Sequence, residues 1–333
     1  MNRRRIIISD TTTVYHLICR TACQAYLFGE KEKEVFVRLL LQQARFAGIE
    51  ILGYCIMSNH VHLLARISPI DSLPDQELLK RYQNYYGDDK VPQSTYSLKE
   101  LESILSAGGS EAEVARQRII SRMGDLSAFM RELKQRFTLW YNHKHENQGT
   151  IWASRYKSLI VENAPESLTR VAAYIDLNPV RAELVSDPKD YRWCGYAAAM
   201  AGLSQQKDAI SHLFSNKSDF KESIASYRLI LFGKGYTSKG STNKDKGTIS
   251  PEALAEIIKN EGYAAPAALF RMRVRYFADG TAIGSKAFVE SIFHKNRASF
   301  GSNRKAAGKP LPPKLWGDLH VLRDLKKNVY GQS

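Results

Sequence analysis

Two runs rich in β-forming residues, 50–57 and 60–66, are separated by only Ser58 and Asn59. So short a connection makes them neighbouring strands joined by a tight turn. The second run opens with His60-Val61-His62. Side chains alternate across a strand, which puts both imidazoles on one face and sends Val61, with Leu63, into the core. Two imidazoles on one rigid surface can supply two nitrogen ligands to a divalent ion. Two unrelated histidines are the alternative that the triplet alone leaves open. His143-Lys144-His145 has the same spelling but lies at the polar end of a helix, where i and i+2 do not share a face, and reads as solvated surface.

Other elements assemble around this pair. Residues 14–20 are rich in β-formers and read as a strand. Val35, Leu39, Leu40 and Phe46 recur at helical intervals across 30–47, with Gly48 as the stop. The polar stretch 68–124, punctuated by Pro74, Gly87, Pro92 and Gly108-Gly109, reads as an insertion with some helix. Phe129, Leu133, Phe137 and Trp140 mark a further helix, 156–161 a short strand, and Pro165-Glu166 the first turn of a helix running to Pro179. Without the insertion the order is strand, helix, strand, strand, helix, strand. That is an α+β fold of ferredoxin-like type: a split β-α-β antiparallel sheet with helices on one face, onto which a further helix packs. The expected organisation is a core domain over 1–200, a connecting helix and flexible basic linker over 201–248, and a small, mainly helical, basic module over 249–333.

Charge narrows the partner. The chain has 48 Lys plus Arg against 34 Asp plus Glu, a net +14, which favours a polyanion such as nucleic acid. No stretch approaches the roughly 20 apolar residues of a membrane span, and the apolar run after Arg3-Arg4-Arg5 is shorter than the about 7–15 residues of a signal-peptide core. A soluble, cytoplasmic protein with no membrane partner is expected. Cys19, Cys23, Cys55 and Cys194 show no C-x-x-C spacing, so neither a zinc knuckle nor a redox pair is indicated.

A second constellation is Tyr174-Ile175-Asp176-Leu177-Asn178-Pro179-Val180. On a helix Tyr174 and Asn178 would share a face, with Arg170 one turn earlier, while Leu168, Val171 and Ile175 form the buried stripe. A phenol beside an amide oxygen suits a nucleophile next to a metal ligand; an ordinary half-buried tyrosine is the other reading. Asn178 precedes proline, which biases it away from helical angles.

Together, Met57-Ser58-Asn59-His60-Val61-His62-Leu63-Leu64 and the Tyr174–Ala182 segment resemble the single-tyrosine HUH transposases, and most closely the REP-associated tyrosine transposases of bacteria. Val14-Tyr15-His16-Leu17, Phe137-Thr138-Leu139-Trp140-Tyr141-Asn142, Gly149-Thr150-Ile151-Trp152 and Arg155-Tyr156-Lys157-Ser158 match in the same order. The resemblance implies a ferredoxin-like core in which His60, His62 and Asn178 hold Mg²⁺ or Mn²⁺ and Tyr174 is the nucleophile. It implies cleavage of single-stranded DNA at hairpin-forming palindromes through a 5′-phosphotyrosine link, rejoining by a 3′-OH, action as a dimer, and no small-molecule substrate. The insertion and the C-terminal module exceed the compact members. Some longer members carry a tail resembling Arg273–Gly280, Gly284-Ser285 and Trp316–Leu319.

Expected DNA contacts come from Arg155, Lys157 and Arg170, from the alternating Arg271, Arg273 and Arg275, and from Arg304 and Lys305 within a basic run, 295–314, that lacks Asp and Glu. A solvated charged face is the plain alternative for the last two groups. Trp152, Arg155 and Tyr156 either clamp an unpaired base or, for Trp152, pack in the core. An HUH replication initiator or relaxase, and a non-cutting regulator derived from a transposase, stay open as alternative functions.

Overall fold

In the computed structural model, residues 5–87, 95–214, 219–232, 276–311, 318–323 and 325 are described. Arg271, Arg273, Arg275, the expected linker over 233–248 and the helix expected from Ser250 lie outside them, as does Trp316 in the tail.

The first half builds the split core. Strand β1 (Thr13–Arg20) leads to helix α1 (Glu30–Ala47), hairpin β2 (Glu50–Ile56) and β3 (His60–Ile67), the insertion, helix α5 (Leu126–His145) and strand β4 (Lys157–Val161). These strands lie in the order β2-β3-β1-β4, with every neighbouring pair antiparallel, as a ferredoxin-like core requires. Helix α1 stops where the sequence says it should. Gly48 takes φ +65, its N–H reaches the Ala44 and Arg45 carbonyls, and a Cβ there would sit 2.5 Å from Ile70 Cδ1.

The sheet is covered on both faces. On one, Tyr15, Leu17, Val61, Leu63 and Ala65 pack against Phe36 and Leu40 of α1 and Phe129, Leu133 and Phe137 of α5. On the other, Val14, Leu52, Cys55 and Leu64 meet helix α6 (Pro165–Asp176) through Leu168, Val171 and Ile175, backed by α8 (Gly195–Met200), α9 (Ser204–His212) and α10 (Phe220–Phe232). The reading of helices on one face plus one more thus understated the second layer. Its cause is visible in β1, buried at every position from Thr13 to Cys19: a strand apolar on both sides needs two covers.

Two regions are richer than their composition suggested. The insertion forms α2 (Asp75–Tyr86), α3 (Leu98–Ala107) and α4 (Gly109–Ile120), which bury Leu78, Tyr82, Leu101, Leu105, Ala115 and Ile119 in a small core of their own against Phe46. The C-terminal residues supply short α11 (Tyr276–Asp279), α12 (Lys286–Lys295) and three strands, β5 (Ala282–Gly284), β6 (Lys309–Pro310) and β7 (His320–Leu322). Because β5 runs parallel to β4, the described part of this segment extends the sheet to seven strands. The pairing unites stretches far apart in sequence, which no local pattern announces.

Candidate active site

Strand β3 fixes the histidines. Val61 is buried against α1 and α5, so His60 and His62 turn to the α6 face, His60 half-buried and His62 4 % exposed. Register with β1 sets Arg20 opposite His60 and Ile18 opposite His62. The two rings lie 5.0 Å apart, centre to centre, at 85°.

A third imidazole joins them. His16, fully buried on the same face of β1, has its Nε2 2.9 Å from Nδ1 of His62, and its Nδ1 2.7 Å from the carbonyl oxygen of Phe277. Burial depresses both rings: His16 falls to about 4 and His62 well below the usual histidine range, the latter helped by His60, His16 and the Arg181 cation. Both are therefore neutral at pH 7, the state in which an imidazole can ligate a metal. His16 lies within one of the matching motifs, but the sequence alone assigns it no role. Its only signal was the alternation Val14-His16-Ile18 along one strand.

Tyr174 projects from α6 into this group. Its ring is 5.9 Å from those of His16 and His62, stacks on Phe277 at 5.0 Å, and carries the Arg181 guanidinium 4.2 Å above it. It is 6 % exposed. The expected helix to Pro179 instead ends at Asp176; Leu177 leaves helical geometry and a separate turn, α7 (Asn178–Arg181), begins with Pro179 in its first turn. Asn178 consequently does not continue the Tyr174 face of α6. Its Nδ2 donates to the Tyr174 and Ile175 carbonyls at 3.2 and 2.9 Å, closing the end of α6. Arg181 donates to the Tyr174 carbonyl at 2.6 Å, so the break aims a cation at the phenol. Behind Tyr174, Asp176 is buried and pushed up to about 7 by desolvation, against the opposing pull of the Tyr227 hydroxyl at 2.6 Å and the Tyr196 N–H. It anchors α6 to α8 and α10.

The remaining site residues are scattered. Lys157 faces the same side as His62 with Ile18 between them, and pairs with Asp279 at 2.6 Å. Arg155 is exposed beside it. Arg170 pairs with Glu166 at 2.8 Å. Arg304 donates to the carbonyls of Ala306, Ala307 and Arg323 and lies over the Phe300 ring, which ties it to its own loop; neighbouring Lys305 is exposed. Trp152 is core: it packs on Phe28, Phe36 and Phe137 and donates to Thr138 Oγ1. Tyr156 is buried too, under the Arg5 guanidinium. His143 is exposed and His145 meets Glu32 at 3.0 Å, far from sharing a ligand.

Among the described residues no group of three or more His, Cys, Asp and Glu gathers to hold a metal. No helix among them is long and apolar enough to cross a membrane. No curated protein matches the chain. A solved structure of a REP-associated tyrosine transposase bound to a REP hairpin is similar at 15 % identity and a TM-score of 0.37, covering 61 % of this chain and 87 % of its own. The family model described as transposase IS200 like matches residues 9–86. The matched segment holds β1, α1 and both histidines of the β3 triplet, His60 and His62.

Proposed function

We propose that this chain is a transposase-type enzyme that cuts and rejoins single-stranded DNA, with Tyr174 as the nucleophile. The observation that carries the proposal is the meeting of Tyr174 with His62 and His16, 5.9 Å ring to ring, on the sheet face that also bears His60. The match of residues 9–86 to IS200-like transposases supports it.

In the proposed reaction the Tyr174 oxygen attacks a backbone phosphorus and loses its proton, while the bond to the 3′-oxygen breaks and that oxygen leaves as a hydroxyl. A 5′-phosphotyrosine results. Attack by a 3′-OH on the same phosphorus re-forms a phosphodiester and returns the phenol, so no nucleotide is consumed. Arg181, stacked over the phenol, offsets negative charge developing on its oxygen. His60 and His62, with the Asn178 amide oxygen, would hold Mg²⁺ or Mn²⁺, and a cation there would polarise the phosphate. Two imidazoles fit that role, with burial holding His62 neutral; the Asn178 amide is tethered through nitrogen, which leaves oxygen as its donor atom. Exposed Arg20, at the end of β1 beside His60, together with Arg155 and Lys157, suits the phosphate chain of a hairpin or its single-stranded flank. A homodimer belongs to the same proposal.

The test is incubation with labelled hairpin DNA and Mn²⁺, followed by denaturing electrophoresis. A covalent adduct that disappears in Tyr174→Phe supports the reading. An adduct unchanged in that variant removes Tyr174 from the chemistry, and binding without any adduct favours a non-cutting regulator.

A further inference from the structure

The hydrogen bonds around the two histidines have a direction, and that direction fixes which ring nitrogen of each carries its proton. A carbonyl oxygen only accepts, so His16 must donate from Nδ1 to Phe277. A neutral, buried imidazole has one proton; its Nε2 is then a bare acceptor, and His62 must donate to it from Nδ1. His60 follows the same logic by another route. Asn59 donates through Nδ2 to the Gln24 carbonyl at 3.2 Å, which turns its Oδ1 to His60, and His60 donates from Nδ1 at 2.7 Å.

We infer that His16 and Asn59 are positioning residues which hold His62 and His60 as Nδ1–H tautomers, so that both present an unprotonated Nε2 toward the site. Each relay ends on a backbone carbonyl, Phe277 for one and Gln24 for the other, so neither end can change protonation. Orienting partners of this kind fix ring direction and raise ligand basicity. For His62 the anchor belongs to the C-terminal segment, 261 residues from His16 in the chain. The inference rests on the proposed metal site, but its central claim concerns protons in the metal-free protein and is read without metal.

The test is long-range ¹H–¹⁵N correlation on the full chain labelled with ¹⁵N-histidine, metal-free at pH 7, with signals assigned through the single variants. His16, His60 and His62 are each expected to carry the proton on Nδ1. Then His16→Phe, which keeps a ring in the cavity but removes both hydrogen bonds, releases the His62 tautomer and weakens Mn²⁺ binding about 10–100-fold, followed by the paramagnetic signal of free Mn²⁺. His16→Gln restores most of that loss, since an amide can donate to the Phe277 carbonyl and accept from His62 as the imidazole does. A proton on Nε2 of His62 in the native chain overturns the relay whether or not Mn²⁺ binds. The expected tautomers with no Mn²⁺ bound at all sink the metal reading and uphold the relay.

Discussion

The two faces of the sheet are built to different rules. Under α1 and α5, strands β1 and β3 present Tyr15, Leu17, Val61, Leu63 and Ala65, and the rings of Phe28, Phe36, Phe137 and Trp152 interlock against them. Under α6 the same strands present His16, His60 and His62, and the covering layer includes Tyr174, Asp176 and Asn178. One strand therefore serves both layers by alternating residues: Tyr15 and Leu17 pack under α1 and α5, while His16 between them faces His62 and Tyr174. Burying polar groups costs free energy unless each is paired, and here every one of those buried polar residues sits in a hydrogen bond or ring contact. Both layers are packed with apolar side chains, and the α6 layer sets these paired polar groups among its own.

This division can be broken most sharply at Tyr174. Removing only its hydroxyl, Tyr174→Phe should abolish adduct formation on hairpin DNA, a loss on the order of 10⁴-fold or more by quantified gel, with the midpoint of urea unfolding almost unmoved. Phe137→Ala on the opposite face should do the reverse. It costs about 3–5 kcal/mol of unfolding free energy in urea titrations, while adduct yield per folded molecule is retained; an equal loss of chemistry would dissolve the distinction between the faces.

The polar face should also be the pH-sensitive one. Folding lifts the Asp176 pKa from its ordinary 3.8 to about 7, chiefly through desolvation, so the folded state binds this proton more tightly than the unfolded chain does. The associated stability is complete below pH 3.8 and is lost as pH rises through 7, a decline on the order of 4 kcal/mol at roughly 1.4 kcal/mol per pH unit. Asp176→Asn should flatten that fall between pH 4.5 and pH 7.5 in urea titrations, and a curve parallel to the native one would show that another group is responsible. The smallest effect is expected at the other histidine triplet. His145→Ala removes a surface pair with Glu32 and should shift stability by less than about 1 kcal/mol, with Mn²⁺ affinity unchanged.

What could be read in advance follows the range of the interactions. The hairpin, α1 with its Gly48 stop and the shared face of His60 and His62 depend on neighbours a few residues apart, so alternation and spacing carried them. The second layer was foreshadowed by β1 itself, whose uninterrupted burial exceeds what one cover explains. Asn178 was harder, since Pro179 announced a change of direction but the break at Leu177 decides where the amide goes. His16 needed the register between β1 and β3, and Phe277 needed the parallel pairing of β5 with β4. Neither register nor distant pairing leaves a local trace.

That distant pairing has a consequence for synthesis. A ribosome releases the chain from its N-terminus at about 5–20 residues per second, and domains fold as they emerge. The split core has all its strands once β4 is out, with His60, His62 and soon Tyr174 in place, yet the ring that stacks on Tyr174 and the carbonyl that anchors His16 lie at residue 277. Until then the sheet face that carries His16 lacks the Phe277 carbonyl, and Tyr174 lacks its stacking ring. Emergence of residue 277 is thus the event that supplies both contacts.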